Sequence, residues 1–170
     1  TQKDRLKVHI ENVLELAQLE EKKRLIRLEP VDFKPNLEAL CASFEAIASL
    51  ETTPFTYQLQ EGSYPILAEA GHLENAVNNL LDNANKYSPE APNITVTATD
   101  QPDGIRISVR DEGMGMSKEA RKHIFDKFYR VHTGDLHDVK GFGLGLSYVK
   151  AIVDAHRGSV EVKSEPGKGS

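Results

Sequence analysis

Residues 73–89 read LENAVNNLLDNANKYSP, and this stretch decides the fold. Leu73, Ala76, Val77, Leu80, Leu81 and Ala84 recur at helical spacing, which predicts a helix with one buried face that stops near Ser88-Pro89. A second stripe, Asn79, Asn83, Lys86 and Tyr87, is spaced by four, three and one and so shares a different face. That face is polar where such a helix should be half buried. Asn is a poor helix former, but its amide carbonyl is a neutral oxygen that can ligate a hard cation, and the Lys86 ammonium suits phosphate. Taken alone, the stripe reads as a solvated face.

On the N-terminal side, residues 3–28 contain neither Gly nor Pro and place Leu6, Ile10, Val13 and Ala17 at alternating spacings of four and three. This predicts a helix with a narrow apolar seam, suited to a partner helix or to its own domain, that stops around Glu29, Pro30 and Pro35. From Leu37 a further helix is expected, with Leu40, Cys41, Phe44, Ile47 and Ala48 on one face, followed by a strand in which Phe55, Tyr57 and Leu59 alternate with polar residues. On the C-terminal side, Ile94, Val96, Ala98 and then Ile105, Ile107, Val109 flank Pro102-Asp103-Gly104 and predict an antiparallel hairpin. Leu144, Leu146, Val149, Ile152 and Val153 predict a helix closed by Gly158, with Val160 and Val162 in a last strand. The sum is a sheet covered on one face by helices.

Three more segments carry chemistry. The second strand of the hairpin runs into DEGMGM, residues 111–116. There Asp111 could accept a hydrogen bond from an exocyclic amine, while Gly113 and Gly115 admit a flat ring close to the backbone. An ordinary acidic turn has the same look. IFDKFYR, residues 124–130, offers Ile124, Phe125 and Phe128 as apolar anchors and Lys127 and Arg130 as cations for phosphate; core aromatics beside solvated cations fit equally. GFGLGLS, residues 141–147, sets Gly141, Gly143 and Gly145 at alternate positions just before a helix, a device that presents backbone N–H groups to an anion. It is neither a Walker A loop nor a Rossmann fingerprint. The polar, aperiodic segment 131–140 reads as a loop able to move without ligand.

Composition narrows the field. A chain of 170 residues with a formal charge of -5 suits one compact domain plus an appendage and argues against a nucleic-acid or anionic-membrane surface. Cys41 is the single cysteine and reads as a buried core thiol in a reducing compartment. No apolar run approaches the length of a membrane span.

In this order, Asn79–Tyr87, Asp111–Gly115, Phe125–Arg130 and Gly141–Gly145 resemble the asparagine, first glycine, phenylalanine and second glycine boxes of sensor histidine kinases. The likeness covers nearly all of residues 30–170. It implies a two-layer α/β sandwich with a mixed, mainly antiparallel sheet, of the kind shared with gyrase-type ATPases. It further implies ATP and Mg²⁺ as ligands. The resemblance assigns Asn83, with Asn79 as second contributor, to Mg²⁺, and Lys86 and Tyr87 to the phosphate and ribose region. Asp111 then reads the adenine amine, Gly113 and Gly115 lie against the base, and Lys127 and Arg130 reach toward phosphate beside Phe128. Gly141, Gly143, Leu144, Gly145 and Leu146 wrap the triphosphate at the end of a lid, residues 131–140. Asn79, Asn83 and Lys86 are the residues implied in catalysis. Hydrolases of this superfamily carry a Glu at the position of Asn79; an amide cannot act as a general base, so phosphoryl transfer to a positioned acceptor is favoured over hydrolysis.

The implied partners are the protein's own dimerisation and phosphoacceptor domain, in a homodimeric parent, and the receiver domain of a response regulator. Residues 1–29 resemble the end of the second dimerisation helix and residues 30–170 the catalytic domain, placed on the cytoplasmic side of an inner-membrane sensor without touching the membrane itself. The acceptor motif His-Glu-x-Arg/Lys-x-Pro is missing, since His9 precedes Ile10-Glu11. SEPGKGS ends before the apolar strand that ordinarily follows. A fragment trimmed at both ends is therefore expected, able to bind ATP but not to phosphorylate itself. The alternatives are a gyrase-type ATPase and a degenerate, binding-only nucleotide module.

Overall fold

The computed structural model describes residues 26–88, 93–131 and 143–170. Among them the strands form two sheets. β1 (Glu29–Asp32) pairs antiparallel with β3 (Pro65–Ala68), while β2 (Phe55–Leu59) pairs parallel with β4 (Ile94–Gln101), which pairs antiparallel with β5 (Gly104–Asp111). The β4–β5 hairpin is the expected one, with Gln101 opposite Gly104 across a two-residue turn. β1 and β3 were not anticipated: each has four residues and contains a proline, which a ladder tolerates at its margins.

The helices are α1 (Lys34–Leu50), α2 (Ala70–Lys86), α3 (Lys118–His123) and α4 (Gly145–Ala155). Pro35, expected to end a helix, sits in the first turn of α1, where its missing N–H costs nothing. α1 and α2 lie on the sheet over a core of Phe33, Leu37, Cys41, Tyr64, Leu81, Ile94 and Val96. A second core joins α2 to α4 through Ala76, Tyr148, Val149 and Ile152. Cys41 is the core thiol expected, with its pKa pushed up to about 11 by burial and secondarily by Glu45.

Four sequence expectations need correction. The helix predicted over 3–28 falls mostly outside the described residues, and residues 26–28 are not helical; there the Arg27 N–H is taken by the Glu69 carboxylate at 3.0 Å. Ile47 is 54% exposed, because the buried stripe of α1 runs through Leu37, Cys41 and Ala48. Val160 and Val162 alternate in burial with exposed neighbours, as a strand would, but no ladder includes them. Gly158 does follow α4, yet the left-handed residue is Arg157, with φ +59°. Arg157 N–H donates to Asp154 O and Gly158 N–H to Val153 O, both at 2.9 Å, the paired bonds of a Schellman motif.

Candidate functional site

α2 supplies one wall of the site. Its apolar face is committed to the two cores, so Asn79 and Asn83 turn toward the start of α4. A methyl group on Gly145 would lie 2.9 Å from Asn79 Oδ1 and 3.8 Å from Asn83 Nδ2, so the two amides and the N-terminus of α4 share one corner. Asn79 Nδ2 donates to Asn75 O at 2.8 Å, which fixes the amide with its oxygen toward that corner. The corner holds one neutral oxygen, that of Asn79, and the Asn83 atom nearest Gly145 is its Nδ2. Such a corner suits a cation that brings most of its ligands with it, as phosphate oxygens and water, better than a resident metal. The described residues include no cluster of three or more acidic, His or Cys side chains able to hold a metal. Lys86 lines the same cleft, held to Asp82 at 2.9 Å.

The opposite wall is the end of β5. Asp111 is 9% exposed, and its Oδ1 accepts from Gly113 N–H at 2.9 Å and from Ser88 Oγ at 3.4 Å. Burial raises its pKa above the ordinary carboxylate value, and the Gly113, Ser88 and Ser170 hydrogen bonds offset only part of that rise. Its backbone is held as firmly: Asp111 N–H donates to Ser170 O and Ser170 N–H to Asp111 O. A buried, anchored carboxylate beside an open cleft can take a hydrogen bond from a neutral amine that repays its desolvation.

The glycines are close-contact residues. A methyl on Gly113 would stand 2.2 Å from Tyr87 O, so this residue packs behind Asp111, against the end of α2, instead of lining the cleft. Gly115 has φ +62°, and its methyl would meet Glu165 O, in the turn that returns to Asp111. Tyr87 O accepts from Met114 N–H at 3.0 Å and so ties the end of α2 to this loop.

Around the third segment, Ile124 is buried and Phe125 half-buried, but Phe128 is 69% exposed and is no anchor. Phe128 instead has a left-handed backbone, φ +62°, and its N–H donates to Gly143 O at 2.9 Å. That bond clamps residues 128 and 143 on either side of the segment expected to be the lid. Gly143 allows it, because a methyl there would come 2.8 Å from Tyr129 O. Arg130 and Tyr129 line the cleft; Lys127 is exposed and does not. Gly141 and residues 132–140 lie outside the described residues, whereas Leu144 and Leu146 join Gly145 in the cleft wall. The cleft measures about 2080 Å³ and continues along β5, so it exceeds a single nucleotide site.

Several groups were missed by reading the sequence. Ser88 and Ser170 reach Asp111. Ser164, 7% exposed, accepts from Met116 N–H at 2.7 Å and donates to Gly169 O at 2.9 Å, which holds the final turn on the glycine loop. α3 went unread because it is six residues long, although its Ser117 cap, accepting from Ala120 N–H at 3.1 Å, is a recognisable start signal.

The family described as histidine kinase-, DNA gyrase B-, and HSP90-like ATPase matches residues 68–170. The chain is 36% identical over 168 residues to the sensor protein RprX of Bacteroides fragilis, covering 98% of the chain and 32% of that protein. It is 31% identical over 166 residues to the sensor-like histidine kinase SenX3 of Mycolicibacterium smegmatis, covering 98% and 43%. The chain thus spans less than half the length of either relative. Among solved structures, full-length ShkA in complex with AMPPNP superposes with a TM-score of 0.81 at 30% identity, covering 98% of the chain and 34% of that protein. None of the helices among the described residues is long and apolar enough to cross a membrane.

Proposed function

Because the chain belongs to the family of histidine kinase-, DNA gyrase B-, and HSP90-like ATPases, we propose that it is the ATP-binding catalytic unit of a sensor histidine kinase. One observation carries this reading above the others: a buried, doubly held carboxylate, Asp111, lines the same cleft as two amides and a helix N-terminus. Asp111 takes the adenine amine. The N-terminus of α4, with Gly143, Leu144, Gly145 and Leu146, surrounds the triphosphate, where unpaired N–H groups and the helix dipole favour negative charge. Lys86 and Arg130, which line the cleft, supply cations and Tyr87 borders the ribose, with Gly113 shaping the floor behind Asp111.

Asn83, assisted by Asn79, holds the Mg²⁺ that accompanies the nucleotide; when bound, this ion neutralises charge on the transferring phosphoryl group. The protein's own contribution is positioning. Asn79 offers no general base to activate water, so the γ-phosphoryl group is kept for an acceptor histidine on a dimerisation domain, from which a response-regulator aspartate receives it. The residues before β1 are assigned to the dimerisation domain and those from β1 onward to the catalytic domain, on the cytoplasmic face of a membrane-bound parent.

Two experiments test the reading. In the first, Asn83→Ala weakens Mg²⁺-ATP binding in calorimetry by about tenfold or more, the scale of a lost metal-site group. Its stability changes by only about 0.5 kcal/mol, because the residue lies off the apolar face. In the second, the chain is mixed with a helical hairpin carrying the acceptor and with γ-labelled ATP, and acid-labile label appears on histidine. Label released only as free phosphate would point to the ATPase alternative, and no turnover to a binding-only module.

A further inference from the structure

Ser88 is only 1% exposed. A hydroxyl so enclosed needs a hydrogen-bond partner, and here it donates to Asp111 Oδ1 at 3.4 Å. That contact is long for an O–H···O bond. Oδ1 also accepts from Gly113 N–H at 2.9 Å. Gly113 comes this close only as glycine, since a methyl group there would lie 2.4 Å from Ser88 Oγ and 2.9 Å from Oδ1. Tyr87 O, one residue before Ser88, is bonded to Met114 N–H at 3.0 Å, so the end of α2 and the glycine loop move as one piece. Two donors, Ser88 Oγ and Gly113 N–H, converge on one carboxylate oxygen.

We propose that Ser88 is a positioning residue for purine selection: with Gly113 N–H it holds Oδ1 of Asp111, so that Oδ2 is presented to the exocyclic amine of adenine. The inference rests on the reading of Asp111 given above. A carboxylate held this way accepts from an amine but cannot turn away from a carbonyl oxygen, so a 6-oxopurine such as guanine is rejected by charge–dipole repulsion. Without the Ser88 hydroxyl the carboxylate is held on one side only, and discrimination falls.

The test compares ATP with purine riboside triphosphate, which lacks the 6-amino group, by calorimetry on the 170-residue chain. The unmodified chain favours ATP by about tenfold or more, the scale of a hydrogen bond to a charged group. Ser88→Ala lowers that preference to about threefold or less, consistent with a weakened charged hydrogen bond, and leaves affinity for the deaminated analogue within about twofold. The preference for ATP over GTP falls with it. Ser88→Cys, of similar size with a weaker donor, falls between the two and serves should the Ala variant fold poorly. If Ser88→Ala keeps the full preference, or lowers both affinities equally, the inference is overturned while the reading of Asp111 stands. If the unmodified chain does not separate the two nucleotides, the reading of Asp111 fails and takes the inference with it.

Discussion

At Asp111 two forces oppose each other, and burial wins. Desolvation raises the pKa while the hydrogen bonds from Gly113, Ser88 and Ser170 lower it, with a net rise. A raised carboxyl pKa means that the folded chain binds this proton more tightly than the unfolded chain. The residue therefore contributes stability that is fully present below the ordinary carboxylate pKa and lost as pH climbs through the raised value. Asp111→Asn keeps an oxygen for Gly113 and Ser88 but carries no charge. We expect it to unfold at a higher temperature than the parent chain at neutral pH, with the difference shrinking on acidification, followed by thermal denaturation at a series of pH values. The same change sets an amide N–H against the adenine amine and lowers ATP affinity by about ten- to a hundredfold, corresponding to a lost charged hydrogen bond. Sequence reading picked out Asp111 from its place at a strand end before two glycines. It missed Ser88, because nothing in KYSP distinguishes a buried serine from one that closes a helix.

Among the elements, α2, α4 and the β4–β5 hairpin were legible because each repeats its apolar residues over enough turns or alternations to fix a period. β1, β3 and α3, at four to six residues, are shorter than any period can establish. Two changes probe element ends. Gly145→Ala should help α4 by helix propensity, by about 1 kcal/mol at most, yet its methyl group would sit 2.9 Å from Asn79 Oδ1. That side-chain end can swing away, so the variant should fold normally but bind Mg²⁺-ATP several-fold more weakly, a split visible by pairing thermal denaturation with calorimetry. Arg157→Gly relieves a left-handed residue at the end of α4 and should raise stability by about 1 kcal/mol with no effect on nucleotide affinity, measured by urea denaturation.

For the whole molecule, the site is a corner between two cores. α1 and α2 pack on the sheet, α4 packs on the far side of α2, and the cleft opens where α2, the end of β5 and the start of α4 meet. Nucleotide should therefore stabilise the entire chain. At a hundredfold excess over Kd, Mg²⁺-ATP should add about 2.7 kcal/mol to unfolding, and Asp111→Asn at the same concentration should gain much less. The faces of α2, the hairpin, the glycine positions and the order of the boxes are legible in the residues alone, because periodicity encodes which residues share a side of one element. Packing between elements sets the rest: the amide face of α2 meets Gly145, Ser88 falls on Asp111 across 23 residues of chain, and Phe128 is exposed. Those contacts depend on how separate faces pack, and no local spacing records the angle at which two elements meet.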